Sequence, residues 1–171
     1  VGFIGLIDHW IDLDLLKAVA RRIAPAHLVL IGQARVDVSA LASESNVHLL
    51  GRKAFSDLPA YCRAFDTALI PFLVNDLTRA VNPIKLREYL SAGLPVVSTP
   101  LPEIVPFADR PGTTLAAESE SFVAAVVARL QNRVGPAERR QLSDAMTAES
   151  WEGRLASMLR TLDTIAPQEA K

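Results

Sequence analysis

The sequence contains a single cysteine, Cys62, so it cannot form a disulfide bond within itself. Disulfide-stapled folds need paired cysteines, and their absence predicts a reducing, cytoplasmic setting. No apolar run approaches the roughly 18 residues that a membrane-spanning helix needs. Lysine and arginine (18) nearly balance aspartate and glutamate (19), and no basic run is present. These shortages exclude a disulfide scaffold and a membrane span, and they argue against nucleic acid as a partner.

What is present suits one globular domain. The chain has 171 residues, half of them hydrophobic, which is enough to bury a sizeable core. It begins at Val1 within a strand-like run, and we expect it to be a piece cut from a longer protein. Residues 1–165 are predicted to form the domain, with C-terminal helices over 136–165. Residues 166–171 are predicted to be a polar, frayed tail.

Short apolar runs alternate with stretches of helical period. Strands are predicted at 1–6, 27–31, 46–50, 67–71, 95–99 and 113–116. Helices are predicted at 11–23, 38–43, 56–65, 83–92, 119–132, 136–149 and 151–165, with Ser56 capping the third. Runs such as "LVLI" are apolar throughout, which is typical of strands buried on both faces. The pattern predicts an α/β fold with a doubly wound, parallel, six-stranded, Rossmann-like sheet in the order 3-2-1-4-5-6.

This topology predicts where a ligand would bind. Ligands of open α/β sheets lie at the carboxyl ends of the strands, where the strand order reverses. Here that point is a crevice between the first and fourth strands. Its walls would be the loops 6–12 and 72–82 and the start of the helix predicted at 83–92.

That helix lies in the stretch "VNPIKLREYLSAGLPVVST", residues 81–99. Asn82 is a suitable N-cap, and Gly93 suits the position just past the helix end. The amino end of the helix would favour an anion, Lys85 adds a positive charge, and Glu88 could hold a vicinal diol such as that of ribose. The alternative interpretation is an exposed i,i+3 pair of Lys85 with Glu88 on an ordinary helix.

The same stretch, followed by "LPEIV", resembles the nucleotide-sugar site of GT-B glycosyltransferases, especially the retaining, group 1 class. Further segments agree in the expected order. They are "VGFIGLIDHWIDLDLLKAVA", "HLVLIGQ", "NVHLLGR", "LPAYCRAFDTALIPF" and "SWEGRLASML". The resemblance implies the C-terminal, donor-binding half of such an enzyme, with the N-terminal acceptor domain absent from this chain.

The resemblance also implies roles for particular residues. Glu88 would hold the donor ribose, and Lys85 and the backbone near Ile84 would face the diphosphate. Gly5, after the first strand, would let the backbone approach the donor, and Arg52 follows the third strand near the base. Asn82 completes this set, and Arg79 is a further candidate for the phosphate charge.

The chain departs from the class at two places. A Glu often stands eight residues before the ribose Glu, and here that residue is Ala80. Nearby residues that could replace it are Asn75, Asp76, Thr78 and Arg79. The loop after the first strand often carries Arg and Lys, whereas here it reads "IDHWIDLD".

The implied function is transfer of a sugar from a nucleoside diphosphate sugar to an acceptor, with this piece alone inactive. No cofactor and no metal are implied. The acceptor is left open among a glycan, a lipid and a small molecule. The full enzyme would be cytoplasmic, with a peripheral position at the membrane left open. The alternatives are a nucleotide-sugar 2-epimerase and a non-catalytic nucleotide-sugar-binding module. A Rossmann dehydrogenase is disfavoured because "GFIGLIDHW" lacks the G-x-G-x-x-G motif.

Two other features of the first loop have competing interpretations. Asp8, His9 and Asp12 could bind a metal, although an aspartate at position 12 or 14 more simply caps the next helix. Trp10 could pack against the domain or stack on a ligand. Cys62 is predicted to be a small buried hydrophobe.

Overall fold

The computed structural model describes residues 1–165, in which six parallel strands form one sheet in the order β3-β2-β1-β4-β5-β6. The strands are β1 Gly2–Ile4, β2 Leu28–Ile31, β3 Val47–Leu49, β4 Ala68–Ile70, β5 Val96–Ser98 and β6 Thr113–Leu115. The α-helices are α1 Leu13–Ile23, α2 Ser39–Ala42, α3 Leu58–Ala64, α4 Asp76–Arg79, α5 Lys85–Ser91, α6 Ser119–Gln131, α7 Pro136–Asp144 and α8 Trp151–Ile165. Single turns of 3₁₀ helix occur at Phe55–Asp57, Val105–Phe107 and Thr147–Glu149.

The predicted fold class and strand order are confirmed. Every predicted strand is present, shortened at one or both ends because the flanking apolar residues lie outside the hydrogen-bonded ladder. One face of α1 is buried, formed by Leu15, Leu16, Val19, Ala20 and Ile23. The Asp12 side chain caps this helix by accepting from the Leu15 N–H at 2.8 Å. The predicted tail, 166–171, lies outside the described residues. Within 1–165, no helix combines the length and the apolar character needed to cross a bilayer.

Four predictions of local structure need correction. The helix predicted over 136–149 ends at Asp144 as α7, and a separate 3₁₀ turn covers Thr147–Glu149. Helix α5 begins at Lys85 rather than at 83, and Asn82 does not cap it. Ser56 does not cap α3, because a 3₁₀ turn over Phe55–Asp57 leads directly into that helix. The segment 72–82, predicted to be a loop, contains α4, whose N-cap Asn75 and Thr78 bond each other reciprocally in a capping box.

On the side that faces β4, the carboxyl end of β1 is bound to a side chain instead of to a strand. Strands β1 and β4 pair through Gly2 and Ala68. Two residues later, the Ile4 N–H donates to the Tyr89 hydroxyl at 2.8 Å, and that hydroxyl lies 3.2 Å from the Ile4 carbonyl, to which it can donate. Tyr89 therefore takes the place that the next residues of β4 would occupy.

The position of a proline explains why β4 cannot fill this place. Continuing the register of Gly2 with Ala68 would set Ile4 beside Ile70, and the Ile4 carbonyl would then need the N–H of the next residue, Pro71, which has none to donate. Tyr89 is 1% exposed, and burial raises the pKa of its phenol, which stays neutral. A neutral hydroxyl can donate and accept at once, so both backbone groups of Ile4 are satisfied.

We predict that Tyr89→Phe lowers the free energy of unfolding by about 1–3 kcal/mol, because it leaves two buried backbone groups without their partner. Urea denaturation at neutral pH measures this difference. Tyr61→Phe is the matched control, since the described contacts give the half-buried Tyr61 hydroxyl no hydrogen bond. Equal stability of Tyr89→Phe and wild type would show that the hydroxyl does not hold β1.

Candidate functional site

Helix α5 follows β4 and precedes β5, so its first turn lies at the carboxyl edge of the sheet, where the sequence predicts the site. Leu86, Tyr89 and Leu90 are its buried face. On the outer side, the Lys85 ammonium lies 2.7 Å from a Glu88 carboxylate oxygen. Their side chains are 27% and 40% exposed, so water reaches both charges. The ion pair that the sequence offered as an alternative is therefore present.

Asn82 and Ile84 precede this helix, in a turn that is not helical. The Asn82 side chain is exposed and accepts a hydrogen bond from Arg87 at 2.9 Å. Ile84 stands at the N-cap position with 56% of its surface exposed, and its carbonyl accepts from the Glu88 N–H at 3.0 Å. The structure thus brings Asn82, Ile84, Lys85 and Glu88 together, although Asn82 has a different partner from the one predicted.

Two cavities border Glu88. The smaller, of about 140 Å³, lies between β1, α3 and α5 and is mostly apolar. Its lining residues are Ile4, Phe55, Leu58, Pro59, Cys62, Glu88, Tyr89 and Ala92. The larger, of about 540 Å³, lies between α5 and the start of α8 and is lined by Asn82, Ile84, Arg87, Glu88, Ser91, Glu149, Trp151 and Arg154.

The other predicted site residues line neither of these cavities. Gly5 directly follows β1, and its N–H donates to the Ile31 carbonyl at 2.8 Å. Arg52 is exposed in the segment after β3, and Arg79 is the exposed last residue of α4. All three stand at the carboxyl ends of strands or in the segments that follow them.

The walls of the predicted crevice touch each other. Ile11 forms an antiparallel bridge with Phe72, and the Leu73 N–H donates to the Trp10 carbonyl at 2.9 Å. Trp10 is half-buried and packs against the core, which is the packing interpretation of this residue. The loop after β1 and the segment after β4 are therefore joined above the end of the sheet.

The acidic first loop is organised by its own contacts. The His9 N–H donates to Asp8, and the backbone and side-chain hydrogen bonds of His9 lower the pKa of the Asp8 carboxyl. Asp12 serves as the cap of α1. Among residues 1–165, no three His, Cys, Asp or Glu side chains group closely enough to hold a metal ion. Cys62 is buried as predicted, and burial raises the pKa of its thiol.

Phe55 is a member of the smaller cavity that sequence reasoning missed. It is 81% exposed although aromatic, and it stands in the 3₁₀ turn before α3. Large exposed aromatic side chains are uncommon away from interaction sites. The sequence signal was weak, because a phenylalanine next to a helix start is more often buried.

A charge network behind α5 was also missed. Glu149 accepts hydrogen bonds from Arg110 at 2.8 Å and Arg154 at 2.9 Å, and its contact with Arg87 is longer, at 3.4 Å. The guanidinium groups of Arg87 and Arg110 also lie over the ring of Phe107, at 4.8 and 4.7 Å from its centre. Nothing local marks these residues, since Arg87 and Glu149 are 62 positions apart.

The comparison with protein families decides the assignment. The model of the family described as "Glycosyl transferases group 1" matches residues 1–132, which is well over half of the chain. The chain belongs to the group 1 glycosyl transferases. This confirms the family that the stretch 81–99 resembles.

One curated relative of this group 1 family member is the "Putative teichuronic acid biosynthesis glycosyltransferase TuaH" of Bacillus subtilis (strain 168). The two are 31% identical over 106 residues, which make up 60% of this chain and 27% of the relative. The chain thus spans about a quarter of the length of the curated relative.

Solved structures share the fold. TarM superposes with a TM-score of 0.72 at 15% identity over 93% of this chain and 34% of its own. HepE of Anabaena in complex with UDP-glucose gives 0.63 at 16% identity, over 94% and 48%. The catalytic domain of the cholesterol-alpha-glucosyltransferase of Helicobacter pylori gives 0.62 at 16% identity, over 86% and 94%. The sheet is therefore that of one half of a GT-B fold.

The network around Glu149 predicts that the stability of this domain depends on pH. Hydrogen bonding by Arg154, and then the contact with Arg87, holds the pKa of Glu149 below its ordinary value of 4.5. A carboxylate with a lowered pKa stabilises the fold fully above the pKa that it has in the unfolded chain, and this contribution is lost as the pH falls through the folded value.

We therefore predict that wild type loses more stability than Glu149→Gln between about pH 5.5 and pH 3. Below that range the two should converge, because the wild-type carboxylate is then protonated. Urea denaturation at a series of pH values measures the difference. Glu138→Gln, on the exposed part of α7, serves as control and should follow the wild-type curve. Parallel curves for Glu149→Gln and wild type would mean that the arginines do not stabilise the ionised carboxylate.

Proposed function

We propose that this chain is the donor-binding domain of a glycosyltransferase that moves a sugar from a nucleoside diphosphate sugar to an acceptor. The observation that carries the proposal is the position of Glu88. It stands between an apolar cavity and the cation of Lys85, on one short helix at the carboxyl edge of the sheet. A nucleotide has the matching order of parts: an apolar base, a diol and an anion.

The carboxylate of Glu88 suits the diol. An ionised carboxylate has two oxygens that accept hydrogen bonds, and it can accept from two neighbouring hydroxyls at once. At 40% exposure its side chain is accessible from the cleft. The pairing with Lys85 leaves lone pairs free on the carboxylate, so the ion pair is compatible with a bound ribose.

The apolar cavity suits the base. At about 140 Å³ it is smaller than the roughly 300–1,000 Å³ of pockets that enclose whole ligands, so it can take one part of a nucleotide. Leu58 and Pro59 supply apolar walls, and the exposed ring of Phe55 is free to stack on a heterocycle. Arg52, which follows β3 in the same segment as Phe55, lies on the base side in this proposal.

The diphosphate would lie beside Lys85. A charge-assisted hydrogen bond from an ammonium to a phosphate oxygen is among the stronger polar contacts in proteins. The turn at Ile84 adds backbone groups, and Gly5, at the end of β1, lets the chain approach closely. Arg79 is a second cation in the segment after β4. The role of this domain in catalysis would be to position the donor and stabilise the departing diphosphate.

The acceptor side is assigned to a further part of the enzyme. The curated relative and TarM are both more than twice as long as this chain, judged by the shares of the two chains that each match covers. Helix α8 presents an exposed apolar face, on which Leu155 and Leu159 are 57% and 52% exposed. We expect this domain alone to bind a donor nucleotide without transferring the sugar.

We predict that Lys85→Ala weakens binding of a nucleoside diphosphate by about tenfold or more and weakens the matching nucleoside much less. The lost charge-assisted contact contributes about 1.5–3 kcal/mol and exists only when the phosphates are present. Glu88→Gln should weaken nucleoside and diphosphate alike and reduce the preference for ribose over 2′-deoxyribose. Calorimetry with UDP, GDP, uridine, guanosine and 2′-deoxy-UDP measures all of these.

The control is Arg22→Ala, which removes an exposed cation from the last turn of α1, away from α5. It should leave every affinity unchanged. An unchanged affinity for diphosphates in Lys85→Ala would refute the phosphate assignment. Absence of binding of either diphosphate to wild type would refute the donor-binding proposal as a whole.

A further inference from the structure

The side chain of Arg87 connects the turn before α5 with the segment just before α8. Its Nη1 donates to the Asn82 Oδ1 at 2.9 Å, and its Nε lies 3.4 Å from Glu149 Oε2. The side chains of Arg87 and Glu149 are 19% and 18% exposed, so this ion pair is largely shielded from water, whereas Asn82 is exposed. Glu149 is in turn bonded to Arg154 of α8.

We infer that Arg87 is a positioning residue. Glu149 fixes the guanidinium of Arg87, and this guanidinium holds the turn Asn82–Pro83–Ile84 through the side chain of Asn82. The inference rests on the proposed function, because this turn immediately precedes Lys85 in the proposed diphosphate contact. The Arg87 guanidinium is directed toward Glu149 and Asn82, and the proposed contacts with the nucleotide do not include it.

Helix α5 begins without a side-chain cap. Pro83 is buried, and the carbonyls of Pro83 and Ile84 accept backbone bonds from Leu86 at 3.3 Å and from Glu88 at 3.0 Å. Asn82, at the start of the turn, is exposed, and its described side-chain hydrogen bond is the one to Arg87. The orientation of Asn82 therefore depends on where Arg87 is held.

Only a guanidinium fits this role. Its planar fork can direct one N–H to Asn82 and another to Glu149 while its face lies over Phe107, at 4.8 Å from the ring centre. An ammonium is a point charge that would keep the attraction to Glu149 but not both directed contacts. Arg87→Lys should therefore keep the attraction to Glu149 without restoring both directed hydrogen bonds.

The chain offers a matched control in Arg110. It shares the Glu149 carboxylate, at 2.8 Å, and the Phe107 ring, at 4.7 Å, yet its described hydrogen bonds go to Met146 and Glu149 and none reaches the segment 82–88. Arg110→Met therefore damages the same network without touching the turn. Any effect that appears in Arg87→Met and not in Arg110→Met belongs to positioning.

The experiment has two readouts on wild type, Arg87→Met, Arg87→Lys, Glu149→Gln and Arg110→Met. The first is amide hydrogen exchange over residues 82–88 in ligand-free protein, measured by mass spectrometry. We expect exchange about tenfold faster in Arg87→Met, an intermediate rate in Arg87→Lys and Glu149→Gln, and the wild-type rate in Arg110→Met. The second is the affinity for UDP or GDP, which should fall about tenfold in Arg87→Met and less than twofold in Arg110→Met.

The outcomes separate the two proposals. Equal exchange in Arg87→Met and wild type would overturn the positioning role, as would equal acceleration in Arg87→Met and Arg110→Met. Fast exchange with unchanged nucleotide affinity would also overturn it, since the turn would then not matter to the ligand. If wild type bound neither nucleotide, the donor-binding proposal would fail, and the exchange data alone would decide whether Arg87 holds the turn.

Discussion

The hydroxyl of Tyr89 is the contact on which the rest of this site depends. Where a parallel strand has no neighbour on one side, an N–H and a carbonyl of its backbone lack partners. Inside a protein, leaving either group without a hydrogen bond costs free energy. Tyr89 bonds both groups of Ile4. Because the phenol comes from α5, the same contact that closes the ladder also fixes this helix beside the end of β1. A ligand site at the strand-order reversal therefore has one of its walls tied directly to the sheet.

The side chains of the short helix α5 point in three directions and have three different roles. Its inner residues, among them Leu86, pack on the sheet and fix the distance between helix and sheet. Lys85 and Glu88 point outward, where the first supplies charge and the second oxygen acceptors. Arg87 points sideways into the arginine network around Glu149. Residues three and four apart share a helix face while neighbours do not, so these tasks can be adjusted one at a time.

Much of the fold followed from the sequence because its signals are local and strong. Continuous apolar runs such as "LVLI" identify parallel strands, and the βαβ alternation leaves few topologies open, so the strand order was predictable. Helix α4 was not predicted, since only four residues carry it and its capping box uses a threonine in place of the usual glutamate. The network of Glu149 was out of reach, because charged residues far apart in the sequence give no periodic signal.

The misplacement of the start of α5 shows how a local rule is overridden. Asn followed by Pro is a sound start signal, since asparagine caps well and proline needs no N–H. It failed here because another donor competes for the side-chain oxygen of Asn82. The guanidinium of Arg87 offers a stronger, charge-assisted hydrogen bond than a backbone N–H does. Arg87 can make that bond because it is itself held from behind by Glu149, at the far end of the chain. Asn82 thus departs from the expected capping role because Glu149, far away in the sequence, holds the side chain that Asn82 bonds.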